Sequence, residues 1–321
     1  MRSNSKKGMI LILLAIFSLS VVTQVTAETK KKYKIGYTCI GWTIPWMVYY
    51  KQVWQQEAKN YPNIEVIWHD AEGDAKKMID GLEGFISQKV DMIMCFADDD
   101  LPILETYKKI KAAHIPLVLT MDPPDYKAFE YMTSYSGIDT REFARICAEA
   151  MNDALGGKGK VAFITGTIGT SSERQYSDGF MDALRHIDSK IELVTKQSGE
   201  WDVTKAQAAA TDILTKYPKI DGIYASDDWM GGGVVRALKE KGYKPGQVKL
   251  VAPGGSKIGL KDFKEGWYVA QQDQGPGFCA RQDIWLASVY FDGKLKSLPK
   301  IVAVQTPIIT KENVDTYPAS W

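Results

Sequence analysis

One unit recurs along this chain of 321 residues: a short apolar run rich in β-branched residues, a polar loop, then an amphipathic stretch. "YKIGYTC" precedes a helical pattern that opens near Pro45, "IEVIWHD" precedes "DAKKMIDGLEGFISQ", and "DMIMCFA" precedes "LPILETYKKIKAA". "IPLVLTMD" follows, and after Gly137 the unit restarts through "KVAFITG", "IELVTKQ", "DGIYASD", "KLVAPGG" and "YVAQQDQ". Apolar strands that alternate with helices build parallel sheets covered on both faces. Two such series predict an α/β protein of two doubly wound parallel-sheet lobes, the first over 33–136 and the second over 137–274. The helix after Gly277 and "IVAVQTPII" remain, and they could return to the first lobe. In open sheets of this kind ligands bind beyond the carboxyl ends of the strands, so the loops after each strand hold the candidates.

The first residues read as an address. Arg2, Lys6 and Lys7 precede an apolar run at 9–19 that is too short to cross a bilayer, and Val25-Thr26-Ala27 supplies small residues for cleavage. Residues 1–27 are therefore expected to be a cleavable signal peptide, with the mature chain exported to a periplasm. No cysteine occurs before Cys39, which excludes a lipid attachment at the cleavage point.

Lys+Arg 40 against Asp+Glu 39 leaves a formal charge of +1, and no long basic run lies beyond the signal and Lys30 to Lys32. That pattern excludes nucleic acid as a partner. Cys39, Cys95, Cys147 and Cys279 have no metal-like spacing. An oxidising compartment permits disulfides, but their apolar settings favour burial as small hydrophobic side chains.

Enzyme signatures are missing. Histidine occurs only at His69, His114 and His186, with no paired zinc spacing, and neither a nucleophile elbow nor a Walker loop is present. "GPGFCA" at 275–280 has dinucleotide-fingerprint spacing, but Pro276 removes a backbone N–H where a pyrophosphate needs one. No catalytic residue, cofactor or metal is expected.

The strand-end loops are richer. Within Asp98-Asp99-Asp100, Asp100 is best placed to cap a helix, which leaves Asp98 to face a ligand. Asp122 ends "IPLVLTMD" on a rigid Pro123-Pro124 bend. Of Asp227-Asp228 one should cap, leaving Asp227 free to bind, and Thr170-Ser171-Ser172-Glu173 is a capping-box pattern with Tyr176 close behind. Trp54 shares a helical face with Tyr50 and reads as core, as does Trp285. Trp42 and Trp46 in "GWTIPWMVYY", and Trp201 before a helix near Val203, lack that periodicity. Flat aromatic faces beside carboxylates suit a sugar ring, whose C–H faces stack while its hydroxyls demand hydrogen-bond partners.

These segments resemble the type I periplasmic sugar-binding proteins of ABC transporters, the ribose- and galactose-binding family. The resemblance rests on "YTCIGWTIPWM", "IPLVLTMD", "GTSSERQYSDGF", "DGIYASDDWMGGGVVRAL" and "QQDQGPG", and covers the chain from about Tyr33 onward. It implies two lobes joined by three hinge crossovers near Ser136, Gln274 and Val304, so that 275–303 joins the first lobe and 304–321 the second. It also implies that Trp46 and Trp201 stack on the ligand, Asp122 binds hydroxyls, and Asp227 and the hinge residue Gln274 contribute polar contacts. Tyr176 falls where many members have an arginine. Pro123 also replaces an arginine and Pro253-Gly254 an aromatic–aspartate pair, so the site has lost two cationic groups and an acid.

The expected function is capture of a monosaccharide or polyol and its delivery, by a monomer, to an ABC transporter permease in the inner membrane. The competing readings are a ligand-sensing subunit for a membrane receptor, a binder of a nucleoside or organic cation, and an enzyme on the same scaffold.

Overall fold

A computed structural model describes residues 31–319 and 321. The signal peptide expected at 1–27 lies outside the described residues. The first series runs β1 (Tyr33–Cys39), α1 (Pro45–Glu57), β2 (Ile64–Asp70), α2 (Ala75–Ser87), β3 (Met92–Phe96), α3 (Leu104–Ala112), β4 (Leu117–Met121) and β5 (Ser134–Ile138). The second begins with α4 (Thr140–Leu155), β6 (Lys158–Thr165), α5 (Ser171–His186), β7 (Lys190–Ser198) and α6 (Val203–Lys216). It continues through β8 (Gly222–Ala225), α7 (Asp228–Glu240), β9 (Lys249–Val251), α8 (Lys257–Lys264) and β10 (Tyr268–Gln272). α9 (Pro276–Phe291), β11 (Ile301–Val304) and β12 (Ile308–Ile309) close the chain.

Short polar side chains start most helices by accepting from the otherwise unpaired backbone N–H groups of the first turn. Asp74 opens α2, Asp139 α4, Thr170 α5, Asp202 α6 and Ser256 α8 in this way. Helices α1 and α9 begin instead on Pro45 and Pro276, whose missing N–H needs no partner there. Two expectations fail. Asp100 caps nothing; its carboxylate turns inward to accept from the Tyr107 hydroxyl at 2.9 Å and the Asp125 amide at 2.7 Å. Trp285, expected in the core, is 49% exposed on α9.

The strands form two six-stranded sheets, ordered β11-β5-β4-β3-β1-β2 and β12-β10-β9-β8-β6-β7, parallel throughout except for β12 on β10. Sheet membership takes the chain between lobes three times among the described residues: after β5, after β10 and after β11. Two of these passages lie slightly beyond the expected divisions, because β5 remains in the first sheet to Ile138 and β11 to Val304.

Helix α9 returns to lie on α1. Together they bury Trp54, Tyr50, Met47, Ile284 and Ala287 against β1, β3 and β4. In the second lobe Phe163, Tyr224 and Phe180 stack in series, with ring centroids 4.5 and 4.4 Å apart. All four cysteines are free and buried among apolar neighbours, which pushes the Cys95 thiol up to about 12.

Candidate functional site

The carboxyl ends of β1, β3, β4 and β5 face the amino-terminal half of α5, the turn before α6 and the end of β8. Between them lies a cavity of about 70 Å³ lined by Trp46, Met47, Phe96, Met121, Asp122, Ile138, Tyr176, Trp201, Asp227 and Gln274, with Ile40 and Ile44. A wider groove of about 790 Å³ adjoins it and shares Ile40, Ile44 and Trp201. Asp98 lies on the groove side.

The indole of Trp46 stands on the first turn of α1 and stacks on Tyr50, centroids 5.8 Å apart and planes 10° from parallel. Tyr50 is anchored in turn: its hydroxyl donates to Asp283 of α9 at 2.5 Å, and the Tyr37 hydroxyl donates to it at 3.0 Å. From the opposite lobe, Trp201 approaches Tyr176 at 6.0 Å and lies over the backbone of Gly166, where any Cβ would sit 2.1 Å from the indole. Glycine is required there by space.

Several residues at this junction hold left-handed backbone without being glycine. Met121 (φ 74°), Glu200 (φ 48°) and Trp201 (φ 57°) all border the cavity or groove. Such φ values cost energy for a residue with a Cβ and cluster at functional sites. Close packing retains the conformation at Met121: the Tyr135 hydroxyl donates to its carbonyl at 2.5 Å, and a Cβ on Gly137 would lie 2.2 Å from that same oxygen.

Asp122 accepts from the Thr140 hydroxyl at 3.0 Å and from the Ser172 hydroxyl, in the opposite lobe, at 2.5 Å. Further bonds cross the same gap. Ser171 donates to Asp99 at 2.8 Å, the Ser172 amide to the Asp98 carbonyl at 3.1 Å, and Arg174 to Asp125 at 3.3 Å. Gln274 donates to the Tyr176 hydroxyl at 3.2 Å, while its Oε1 is buried with no partner. The Trp201 N–H is also buried and unpartnered; it lies close enough to Asp98 to favour the ionised carboxylate but closes no hydrogen bond of normal geometry.

Burial raises the carboxyls here. Asp98 is pushed up to about 7 by desolvation and then by the charge of Asp122, against the hydroxyls of Thr167 and Thr170. Asp122 is raised by desolvation, opposed by Ser172 and Thr140. Desolvation lifts Asp227 to about 7, opposed by the Met230 amide.

Seven of the eight expected site residues border the cavity or the groove. Trp42 does not. Its indole N–H donates to the His69 carbonyl at 2.7 Å and its ring packs edge-on against Trp68 at 4.8 Å, so it props the junction of β1 and β2 from behind. The roles expected within the Asp227-Asp228 pair also change. Asp227 itself caps α7 by accepting from the Met230 amide at 2.7 Å, yet it still borders the cavity, while Asp228 is buried against the Ser256 amide at 3.0 Å.

Phe96, Met121 and Ile138 were not anticipated. Each stands at the end of a first-lobe strand, so the strand-end rule pointed to their positions; what hid them was their apolar chemistry. Ser172 belongs to a capping-box pattern in the sequence, and nothing local marks it as a partner for Asp122.

Two doubly wound lobes around a cleft walled by indoles and carboxylates define a bilobal small-molecule binding protein. Residues 35–295 match the family model described as a periplasmic binding protein domain. The chain belongs to that family, whose members are periplasmic substrate-binding proteins of transport systems. It is 29% identical to the ribose import binding protein of Bacillus subtilis over 76% of this chain and 78% of that one. It is 28% identical to a xylitol-binding protein of Mycolicibacterium smegmatis over 79% and 70%. Among solved structures, an ABC transporter periplasmic solute-binding protein from Actinobacillus succinogenes with bound D-allose superposes with a TM-score of 0.78 at 26% identity, covering 89% of this chain and all of the other (100%).

Proposed function

We propose that this protein captures a monosaccharide or polyol in the cavity between its lobes and delivers it to an ABC transporter permease in the inner membrane. It acts as a monomer without turnover, after removal of residues 1–27 as a signal peptide. The observation that carries this reading is the pairing of apolar walls with unmet polar demand. Trp46 and Trp201 border the cavity, and Gln274, another of its lining residues, keeps a buried Oε1 without a protein partner. A hydroxylated ring satisfies both kinds of surface, stacking its C–H faces and pairing its hydroxyls.

Trp46, Asp98, Asp122, Tyr176, Trp201, Asp227 and Gln274 are the proposed contact residues, with Trp42 in support. Relatives named for ribose, xylitol and D-allose favour the same ligand class. The test is a thermal-shift screen of the periplasmic protein against sugars and polyols, followed by calorimetry. A ligand of the native state alone raises the melting temperature. Stabilisation by at least one of them is expected; a flat response across the set, or product accumulating in proportion to protein, overturns the reading.

A further inference from the structure

Behind the cavity a chain of hydroxyls points to one carboxylate. Asp283 is fully buried on α9 and lines neither the cavity nor the groove. Its Oδ2 accepts from the Tyr50 hydroxyl and its Oδ1 from the Ser136 hydroxyl, both at 2.5 Å. A hydroxyl has one proton to give. With that of Tyr50 committed to Asp283, Tyr37 donates to Tyr50 at 3.0 Å, and Thr120, 2.8 Å further on, is left to donate to Tyr37. From the other side Gln282 donates to the Ser136 hydroxyl at 3.0 Å. Every bond runs toward Asp283, so this one acceptor sets the direction of the whole chain.

The chain joins a wall to a hinge. Trp46 stacks on the Tyr50 ring that the carboxylate fixes. Ser136 lies on β5, two residues before that strand leaves for the second lobe. Gln282 also donates to the Val302 carbonyl at 2.8 Å, two residues before β11 ends at the third crossover. The helix that carries Gln282 and Asp283 opens at Pro276, just past the second crossover.

Packing alone does not ask for this residue. An apolar side chain would fill the space between α1 and α9 without the cost of burying a charge. An amide would accept on one side only and leave Tyr50 or Ser136 without an acceptor. A carboxylate accepts on both sides and so fixes the two hydroxyls relative to each other.

We propose that Asp283 is a positioning residue for ligand capture: it fixes the Trp46 wall through Tyr50 and ties that wall through Ser136 to the strand entering the first crossover. This rests on the reading of the cavity as the capture site. A stacking ring held to the hinge strand keeps its place as the lobes move, and a wall fixed beforehand spares the ligand the cost of ordering it.

The experiment is fluorine NMR, without ligand, on the protein purified from periplasm and labelled with 5-fluorotryptophan. The signals of Trp46 and Trp54 are those lost in Trp46→Phe and Trp54→Phe. In Asp283→Asn the Trp46 signal is expected to move by more than its linewidth, and that of Trp54, on the same helix, to move less. Tyr50→Phe, which keeps the ring and removes its bond, and Ser136→Ala should each move the Trp46 signal too; should Asp283→Asn not fold, these two decide. Tyr50→Phe combined with Asp283→Asn should move it no further than the larger single change, because both cut the same link. Calorimetry uses D-ribose, D-allose and xylitol. Whichever of them binds the parent should bind Asp283→Asn about three- to tenfold more weakly, the range that a lost stacking contact spans. A Trp46 signal that stays in place, shifts that add, or equal movement at Trp54, the mark of a loosened helix, overturns the proposal. Unchanged affinity in Asp283→Asn also overturns it, while leaving the capture reading intact. The signals are read without ligand, so a parent that binds none of the three compounds counts against the capture reading alone.

Discussion

Ser172 and Asp122 come from different lobes, and the serine hydroxyl donates to the aspartate at 2.5 Å. Asp122 follows the last residue of β4, while Ser172 sits in the first turn of α5, whose capping residue Thr170 also reaches Asp98. A bond between lobes is lost when they part, so on the proposed reading it would couple ligand capture to closure by a hinge motion. A hydrogen bond to a charged group contributes about 1.5–3 kcal/mol at most. Ser172→Ala should therefore shift the protein toward an open form and weaken ligand binding by about tenfold. Small-angle scattering should show a larger radius of gyration in the variant without ligand. Identical curves for variant and parent would remove the bond from the closure equilibrium.

Asp122 itself has more to lose. Asp122→Ala removes the acceptor for Thr140, for Ser172 and, on the proposed reading, for the ligand. Affinity should fall by about 10–150-fold, at tenfold per 1.4 kcal/mol. An affinity within twofold of the parent would confine Asp122 to a structural role.

Three tryptophans separate wall, prop and core. Trp46→Ala should lower affinity at least about tenfold, through a stacking term of ~0.5–1.5 kcal/mol and the apolar area buried against the ring. Its melting temperature without ligand should move little. Trp54 is 0% exposed, and Trp54→Ala should cost ~3–5 kcal/mol of stability. Trp42→Ala should behave like a milder Trp54→Ala, losing the bond to His69 and the packing on Trp68 while affinity survives. Calorimetry and thermal melts of the same three samples decide this. A collapse of Trp46→Ala without ligand would place that ring in the core.

Asp228 makes stability depend on pH. Burial first, and then the charge of Asp227, lifts its carboxyl to about 8. A carboxyl raised above its unfolded value near 3.9 binds a proton more tightly in the folded state. The stabilisation is complete below the unfolded value and is lost as pH rises through about 8. Asp228→Asn mimics the neutral acid. The excess of the variant's melting temperature over the parent's should therefore grow as pH rises from ~4 toward ~8 and level off above that. A melting difference that does not change with pH would show that Asp228 ionises without cost.

The alternation of strands and helices was legible because each repeat carries its own local chemistry: a β-branched run, a capping residue, an amphipathic face. Asp139 and Asp202 start helices for reasons contained within four residues of sequence. The site was legible where strand ends bear unusual side chains, as at Asp122 and Trp201. It was obscure where the outcome depended on the other lobe or on a neighbour along the sheet. Trp42 and Trp46 are four residues apart on one loop-to-helix junction, and it is the neighbouring strand β2, through the His69 carbonyl and the Trp68 ring, that holds Trp42 away from the cavity. Nothing within the Asp227-Asp228 pair says which will cap, because that is set by the Ser256 amide arriving to hold Asp228. Asp100 escaped its expected role for the same reason, being drawn inward by Tyr107.

Helix α9 imposes an order of assembly. The first lobe lacks its edge strand β11 and the cover over α1 until residues 276–304 have arrived, after the whole second series. Tyr50, which backs Trp46, waits for Asp283 to anchor its hydroxyl. The amino-terminal lobe, first in the sequence, is therefore completed by its last elements, and the apolar face of α1 has no cover until they arrive. Contacts this distant in sequence slow folding and leave intermediates open to aggregation. Truncation before 276 should thus yield neither half of a binding protein but an unfinished first lobe, prey to periplasmic proteases and chaperones.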